Sequence, residues 1–431
     1  MSSDRLALLG GIPANPDPLP PYNTIGDAEK AAVAEVLANG ELSGFVAWSG
    51  EEFWGGRQVR ALEREICDYF GVKRAVAVNS ATSALHCAVA ATGTGPGDEV
   101  IVPPYTMSAS ATAILMSGAV PVFADIDADT FCLDPVSAEA AITPQTRGIM
   151  AVNLFGHPAP LLRLREIADR HGLFLIEDNA QAPGARCHGR FTGTIGDMGV
   201  LSFNRHKTMQ CGEGGILITN DETLALKAAL VRNHGEVVAE GLGITDFVNA
   251  VGLNYRMTEM EAAVARVQFG RIEELTEPRV ALAKRLDAGL KSLSGITPPA
   301  IAPGCTHVYY FYAMKYDAAE TGIPRELFAE AVRAEGFPLR AGYVRPIYLE
   351  PLYQRKICFG RNGFPFTANP RNAELSYAKG LCPVTERLQE HEILITNIIY
   401  PPLTGSHMDL FVSACAKVLG NRDALLRSVR G

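Results

Sequence analysis

The sequence FNRHKTMQCGEGG, residues 203–215, joins two apolar runs and holds a lysine between them. The run before it covers residues 198–203, and the run after it covers residues 216–219. Lys207 follows a short polar stretch and precedes the glycine-rich turn 212–215, so it is held in a tight loop between two strands. A lysine that is partly desolvated has a lowered amine pKa and can react with a carbonyl group. A lysine that merely lies in a strand-connecting loop fits this segment equally well, so the rest of the chain must decide.

Length and charge exclude several classes of function. The chain has 431 residues, of which 47% are apolar, so it can bury a large core and is expected to form two domains. Its net charge of −8 gives no electrostatic support for binding nucleic acid or an anionic membrane. No apolar run approaches the roughly 20 residues that span a bilayer, and the N-terminal LALLGGIPA is too short for a signal peptide.

The cysteines point to an intracellular protein without a metal site. Nine cysteines are scattered along the chain and no two form a C-x-x-C pair. This pattern favours small buried side chains in a reduced compartment over disulfides or a zinc site. We therefore expect a cytoplasmic protein that binds no metal.

Apolar runs and helical patterns alternate on both sides of the lysine loop. Runs typical of buried strands cover residues 75–79, 99–103, 120–124, 147–153, 173–177, 198–203 and 216–219. Helical patterns cover residues 27–38, 59–70, 82–91, 108–116, 160–171, 221–233 and 257–275, and the last is expected to end before Pro278. This alternation predicts an α/β fold with a mostly parallel, doubly wound sheet.

The pattern changes near residue 280, where a further helical stretch, an aromatic run and mixed short elements follow. We expect a large domain over residues 58–277 and a smaller C-terminal α/β domain over residues 278–431. Residues 1–57 are expected to form an N-terminal arm and helix that pack with the small domain.

Three kinds of functional group follow the predicted strands. Ligands of open parallel sheets bind outside the carboxyl ends of the strands. Asp178 lies at that end of one strand, Ser202 and Lys207 follow a second, and residues 80–82 follow a third and open a helix, where backbone N–H groups favour a phosphate. A carboxylate, a phosphate site and a lysine are what pyridoxal phosphate requires. Taken singly, Asp178 could be a helix cap or a salt-bridge partner, and residues 80–82 could be an ordinary helix N-cap.

The chain also resembles a known family over most of its length, from about Leu6 to the C-terminus. The matching stretches are VNSATSAL (78–85), GPGDEVIVPPYT (95–106), GAVPVFADID (118–127), ITPQTRGIMAVNLFGHP (142–158), IEDNAQAPGA (176–185), the lysine loop, RNHG (232–235) and GLNYRMTEMEAA (252–263). They resemble the DegT/DnrJ/StrS-like sugar aminotransferases, which have the pyridoxal-phosphate-dependent (PLP-dependent) fold type I. The resemblance implies a large domain with a mostly parallel seven-stranded sheet and a smaller α/β C-terminal domain.

The resemblance assigns the cofactor contacts residue by residue. It implies that Lys207 forms the imine with pyridoxal phosphate and that Asp178 pairs with the pyridine nitrogen. Gln181 matches the family residue that hydrogen-bonds the phenolic oxygen of the cofactor. The phosphate contacts implied by the family are Ser202, Ala81 and Thr82.

Two further positions bear on the cofactor. Asn254 matches a family asparagine that reaches the phosphate from a neighbouring subunit, which implies a homodimer with shared active sites. Met107 stands where the family commonly has an aromatic residue stacked on the cofactor. A thioether can pack on a ring face, so Met107 is retained as a cofactor contact. The family's S-G-T is here Ser80-Ala81-Thr82, which keeps the N–H donors.

Candidate substrate contacts lie in three aromatic regions. The segment FVAWSGEEFW, residues 45–54, contains Trp48 and Trp54, which could face the ring of an acceptor or fill a subunit interface. The run HVYYFY, residues 307–312, includes His307 and Tyr309, which could face the substrate or fill the core. The last candidate, Tyr105, is the penultimate residue of the family stretch GPGDEVIVPPYT.

The resemblance implies an aminotransferase that moves an amino group from L-glutamate or L-glutamine to a keto-sugar, often nucleotide-linked, or to a keto-cyclitol. Such reactions belong to amino-sugar or antibiotic biosynthesis. A sugar dehydratase of the same family is an alternative, although those relatives carry a histidine where this chain has Lys207. A PLP-binding regulatory protein without turnover is a second alternative, but no basic recognition element supports it.

Overall fold

The structure is a computed structural model that describes residues 5–246, 248, 249 and 251–430. The strands are β1 Arg74–Val78, β2 Glu99–Val102, β3 Val120–Phe123, β4 Thr146–Val152, β5 Phe174–Asp178, β6 Arg186–Cys187, β7 Arg190–Phe191, β8 Met198–Ser202, β9 Gly215–Thr219, β10 Ile296–Thr297, β11 Tyr312–Tyr316, β12 Arg340–Ala341 and β13 Ile393–Thr396.

The helices are α1 Asp27–Asn39, α2 Arg57–Phe70, α3 Ala81–Ala91, α4 Ala109–Met116, α5 Pro135–Ala140, α6 Leu161–His171, α7 Glu222–Arg232, α8 Gly235–Val238, α9 Glu259–Gly270, α10 Ile272–Leu290, α11 Ala318–Thr321, α12 Arg325–Ala334, α13 Pro351–Gln354, α14 Pro370–Glu374, α15 Pro383–Arg387, α16 Gly405–Gly420 and α17 Arg422–Arg430. Among these described helices, none is long and apolar enough to cross a bilayer.

A central sheet of seven strands has the order β1-β9-β8-β5-β4-β2-β3. Only β9 runs antiparallel to its neighbours, and the other neighbouring strands are parallel. Side chains from both faces are buried: along β4, Met150 belongs to one core and Ile149 and Ala151 to another. Strands buried on both faces appear as continuous apolar runs. The predicted mostly parallel seven-stranded sheet is confirmed.

A second, antiparallel sheet of four strands has the order β10-β11-β13-β12. Its core includes Leu286 of α10, Phe328 of α12 and Phe411 of α16. The N-terminal segment joins the same core through Leu6, and the amides of Ala7 and Ala14 each donate to the Glu335 carboxylate at 2.8 Å. Residues 6–14 are therefore packed against the C-terminal part of the chain. Helix α1 instead packs against α9, within the predicted large domain, where the Gln268 side chain donates to the Glu29 carboxylate at 2.6 Å.

The helices around Pro278 differ from the sequence prediction. The predicted helix over residues 257–275 is two helices in the structure, because α9 ends at Gly270, a residue of low helix propensity. The predicted stop before Pro278 is wrong, since α10 continues through this proline to Leu290. Its buried face spans both cores, with Leu275 in one and Leu286 in the other, and this packing outweighs the cost of an interior proline. The predicted domain boundary between residues 277 and 278 thus falls inside a helix.

Candidate active site

β9 lies between β1 and β8 and brings their ends together. Gly215, its first residue, pairs with Val78 at the end of β1 and with Ser202 at the end of β8. A Cβ atom at Gly215 would overlap the backbone of Ser80 and Ala81. Since glycine has no side chain, the turn after β1 can pack beside Ser202.

The same turn forms the start of α3. The Ser80 hydroxyl caps this helix by accepting a hydrogen bond from the amide of Ser83 at 3.1 Å. The amides of Ala81 and Thr82 lie in the first helical turn, where N–H groups lack partners within the helix. With the helix dipole and the neighbouring Ser202, they make a place where a phosphate is favoured.

Lys207 is a half-buried cation next to a buried carboxylate. Its backbone N–H donates to the carbonyl oxygen of Asn204 at 2.8 Å, which holds it in the loop after β8. Its Nζ atom lies 4.4 Å from the ring centroid of Tyr310. Burial lowers the pKa of Lys207 to about 8, and the charge of Asp178 opposes this shift. A substantial fraction of the amine is therefore neutral, and nucleophilic, near physiological pH.

Asp178 ends β5 with its side chain only 5% exposed. Its carboxylate accepts hydrogen bonds from the hydroxyl of Ser110 at 2.7 Å and from the amide of Ala180 at 3.2 Å. Burial raises the pKa of Asp178, while these donors and the charge of Lys207 lower it. The ionised form of such a carboxylate is stabilised most by a cationic partner that is buried in the same low-dielectric environment.

The side-chain amide of Gln181 forms hydrogen bonds through both its oxygen and its nitrogen. Its oxygen accepts a hydrogen bond from the amide of Phe155 at 2.8 Å, and its nitrogen donates to the hydroxyl of Tyr343 at 3.2 Å. The Tyr343 ring packs against Phe155 with centroids 4.8 Å apart and against Tyr105 with centroids 5.7 Å apart. Gln181 and Tyr343 therefore form one packed unit behind Asp178.

Tyr310 and Tyr343 were missed by the sequence reasoning, although both lie at this site. Tyr310 is part of the aromatic run 307–312, so a signal was present but did not indicate which ring faces the lysine. Tyr343 belongs to no recognised stretch, and its place depends on contacts between residues far apart in the chain. Local patterns carry no information about such contacts.

Three predicted substrate contacts are buried. The Tyr105 side chain is 0% exposed and donates its hydroxyl to Gln389 at 2.8 Å. The rings of His307 and Tyr309 are stacked 3.8 Å apart, and both side chains are buried. Their neighbour Tyr310 contacts Lys207 instead. The roles of Tyr105, His307 and Tyr309 in substrate binding stay predictions.

Trp48 precedes a short 3₁₀ turn, Glu51–Trp54, and Trp54 is the last residue of that turn. Trp48 is 58% exposed and donates its indole N–H to Glu52 at 3.0 Å. Trp54 packs edge-on against Phe53 and lines a cavity of about 600 Å³ with Arg74, the first residue of β1. That cavity is at the amino end of β1, opposite the edge that carries the lysine loop. Contact of either tryptophan with an acceptor stays a prediction.

Met107 and Asn254 are both accessible. The Met107 side chain is 60% exposed. Asn254 is exposed and lies in a bridge with Asn233, and the following residue, Tyr255, accepts a hydrogen bond from the amide of Asn79 at 2.9 Å. Asn254 is thus fixed by its backbone while its side chain faces outward.

Comparisons with known proteins agree with this geometry. Residues 30–393 match the model of the DegT/DnrJ/EryC1/StrS aminotransferase family. The chain is 35% identical to the L-glutamine:2-deoxy-scyllo-inosose aminotransferase of Streptomyces kanamyceticus, over 99% of each chain. It is also 35% identical to the dTDP-3-amino-3,4,6-trideoxy-alpha-D-glucose transaminase of Streptomyces venezuelae, over 77% of this chain and 82% of the relative.

A structural comparison gives the same result. The structure of DesI, solved in the presence of its TDP-sugar product, superimposes with a TM-score of 0.82 and 28% identity over 100% of both chains. The fold and the lysine-bearing edge of the sheet define a transferase of PLP fold type I. Within that class, the chain belongs to the DegT/DnrJ/EryC1/StrS aminotransferase family, and the predictions of an aminotransferase and of this family are confirmed.

Proposed function

We propose that this chain is a PLP-dependent aminotransferase that transfers the amino group of L-glutamine to a keto-cyclitol. The observation that carries this proposal is the half-buried amine of Lys207 beside the buried carboxylate of Asp178, at the edge of the sheet where α3 begins. The dehydratase alternative has no support in this site, because the residue in the loop is a lysine.

The residues present fit pyridoxal phosphate. Lys207 would bond to its aldehyde carbon, and Asp178 would face its ring nitrogen. When bound, the cofactor supplies a carbonyl that exchanges an amino group and a ring that withdraws electrons from the substrate. Its phosphate and ring contacts would come from Ala81, Thr82, Ser202, Gln181 and Met107.

Two charged side chains have distinct tasks in this proposal. Asp178 keeps a positive charge on its partner, since a buried carboxylate without a cation is unfavourable. Lys207 moves a proton at the carbon that carries the transferred amino group, because its amine has a pKa near neutrality, about 8. Tyr310, below the Lys207 amine, favours its protonated form by a cation–π contact and limits its motion.

The acceptor class is supported by the extent of sequence similarity. The L-glutamine:2-deoxy-scyllo-inosose aminotransferase aligns over 99% of both chains, whereas the dTDP-sugar transaminase aligns over 77% of this chain. A free keto-cyclitol is therefore favoured over a nucleotide-linked keto-sugar. L-glutamine is favoured as the donor on the same basis, with L-glutamate as the alternative.

The assembly and compartment are part of the proposal. We infer a two-fold homodimer in which Asn254 of each subunit completes the phosphate site of the other, since its side chain is exposed while its backbone is fixed. The scattered cysteines favour the cytoplasm. The division into residues 1–57, 58–277 and 278–431 is likewise proposed, with helix α10 crossing the boundary between the last two parts.

The experiment is an assay of the purified holoenzyme with L-glutamine and a panel of acceptors. We expect amination of 2-deoxy-scyllo-inosose or scyllo-inosose and little amination of dTDP-linked keto-sugars, with product measured by mass spectrometry. Preferential amination of the dTDP-linked sugars would overturn the acceptor class. If no acceptor in the panel is aminated while L-glutamine still converts the bound cofactor, the acceptor assignment is overturned. The assignment of L-glutamine as the donor would then still stand.

A further inference from the structure

Helix α10 contains two arginines, Arg279 and Arg285, and follows a third, Arg271, which is its N-cap residue. Arg271, at its start, and Arg285, near its end, form ion pairs with Glu29 and Asp409 at 3.0 and 2.8 Å. Arg279, between them, has no ion pair with any carboxylate of the residues described here, although its side chain is only 5% exposed. Its Nε atom is buried without a hydrogen-bond partner. A buried guanidinium in this state has a desolvation penalty that no carboxylate of the described chain offsets.

Arg279 lies among aromatic rings that lead to the lysine. Its guanidinium carbon lies 4.6 Å from the ring centroid of Tyr22, in the N-terminal arm. The Tyr22 hydroxyl donates to the carbonyl oxygen of Thr208 at 3.0 Å, the residue after Lys207. Tyr22 therefore connects Arg279 to the lysine loop.

The electrostatics of Tyr310 are consistent with this placement of Arg279. The charge of Arg279 acts on Tyr310, where it opposes the rise in pKa that burial causes. The Lys207 Nζ atom lies 4.4 Å from the centroid of that ring. Tyr310 thus contacts the amine at which the reaction takes place and is within electrostatic reach of a guanidinium that lacks an anion.

We propose that Arg279 binds the carboxylate of the amino donor. This inference rests on the proposed function, in which the donor is an amino acid. An amino acid that presents its amine at Lys207 must place a carboxylate nearby, and a planar guanidinium matches a carboxylate with two parallel hydrogen bonds. The phosphate site at α3 is provided by other residues, so the anion at Arg279 need not be the cofactor.

The proposal explains how one site could accept two unlike substrates. A keto-cyclitol has hydroxyl groups and no charge, so it cannot form the bidentate ion pair with Arg279 that a carboxylate forms. The arginine therefore distinguishes the two half-reactions: it strengthens binding of the donor and leaves binding of the acceptor unchanged. That difference is what the experiment measures.

The test uses the holoenzyme of Arg279→Gln, Arg279→Lys and the matched control Arg285→Gln on the same helix. The donor half-reaction is followed by the absorbance change on mixing with L-glutamine, and the acceptor half-reaction by the reverse change with a keto-cyclitol. We expect Arg279→Gln to raise the half-saturating L-glutamine concentration about 100-fold, the size typical for one partner of a buried charge pair. Arg279→Lys should raise this concentration about tenfold, because lysine keeps the positive charge but cannot donate two parallel hydrogen bonds to the carboxylate. Arg285→Gln and the acceptor half-reaction should change less than about twofold.

A binding measurement and a modified donor make the test independent of turnover. Glutarate has carboxylates but no amine, so calorimetry should show it binding to the wild-type holoenzyme and not to Arg279→Gln. The wild type should also discriminate between L-glutamine and its α-methyl ester, and Arg279→Gln should not. These comparisons hold even if no keto-cyclitol is aminated, so failure of the acceptor assignment is separable from failure of this inference.

Three results would overturn the inference. Equal glutarate affinity in the wild type and Arg279→Gln would show that the arginine does not bind the carboxylate. An equal loss of rate in both half-reactions, together with a lower melting temperature, would show that Arg279 serves packing on Tyr22. A shift of the protein towards monomer, at unchanged donor affinity, would show that Arg279 pairs with a carboxylate of the partner subunit. If Arg279→Gln fails to fold, the ester comparison with Arg279→Lys decides between the same outcomes.

Discussion

The two edges of the central sheet both carry many charged groups, but they differ in burial. At the carboxyl edge, Asp178 is 5% exposed and faces a half-buried Lys207. At the amino edge, a cavity of about 600 Å³ is lined by Trp54, Arg60, Lys73, Arg74 and other side chains. The ion pair of Arg74 and Glu222 there is open to water, since the two side chains are 57% and 65% exposed at a separation of 3.5 Å.

The difference shows that neither cavity size nor the number of charges locates the chemistry. Water screens the exposed pair of Arg74 and Glu222 at the amino edge, so this pair contributes little. At the carboxyl edge, burial moves the pKa of Lys207 down and that of Asp178 up. Groups tuned in this way are typical of catalytic sites.

The largest expected effect is at Lys207. We expect Lys207→Ala to lower transamination by about 10⁴-fold or more, because it removes both the cofactor attachment and the proton carrier. Borohydride reduction of the wild-type holoenzyme should fix the cofactor to a peptide containing Lys207. The matched variant Lys73→Ala, at the amino edge, should keep full activity. Labelling of another lysine by borohydride would show that the wrong residue has been chosen.

The next effect is at Asp178. Asp178→Asn should fold normally but lose turnover on the order of 10³-fold, since a neutral amide does not hold a positive charge on the cofactor ring. Asp68→Asn, which changes a carboxylate lining the amino-edge cavity, is the control and should stay within about twofold. Steady-state rates and melting temperatures of both variants separate chemistry from folding. Near-normal turnover in Asp178→Asn would make this carboxylate structural.

The burial of Lys207 at the carboxyl edge also predicts that the rate of cofactor capture depends on pH. Burial lowers the pKa of Lys207 to about 8, so the neutral amine increases as the pH rises towards that value. The rate at which apo-enzyme captures pyridoxal phosphate should rise about tenfold per pH unit below the midpoint and level off above it. Because the charge of Asp178 raises the pKa of Lys207, Asp178→Asn should move the midpoint to lower pH. A midpoint near that of a free lysine would contradict the burial argument.

The smallest expected effect concerns the tryptophans. Trp48 is 58% exposed, whereas Trp54 lines the amino-edge cavity, so we expect Trp48 to be the one that contacts an acceptor. Trp48→Ala should slow the acceptor half-reaction by about three- to tenfold, the value of one aromatic contact, and leave the donor half-reaction unchanged. Trp54→Ala is the matched control. Equal loss in both half-reactions, or in neither, would assign the segment to structure alone.

The sequence was sufficient for those parts of the site that depend on local order. Strand ends can be located from apolar runs, and parallel strands place their ends at one edge, so Asp178, Ser202 and the start of α3 could be predicted together. Tyr343 and Arg279 could not, because each is placed by residues far away in the chain. The helix through Pro278 was missed for a related reason, since its stability comes from two cores that no local pattern reveals.

Gly215 has a consequence for anyone who wishes to alter the specificity of this protein. In a random library that includes position 215, nearly all variants at that position would carry a side chain that collides with the backbone of Ser80 and Ala81. The exposed residues around the site, such as Met107, carry no such constraint. Diversity is therefore best placed at the accessible side chains, with residue 215 held as glycine so that β1, β8 and β9 keep their spacing.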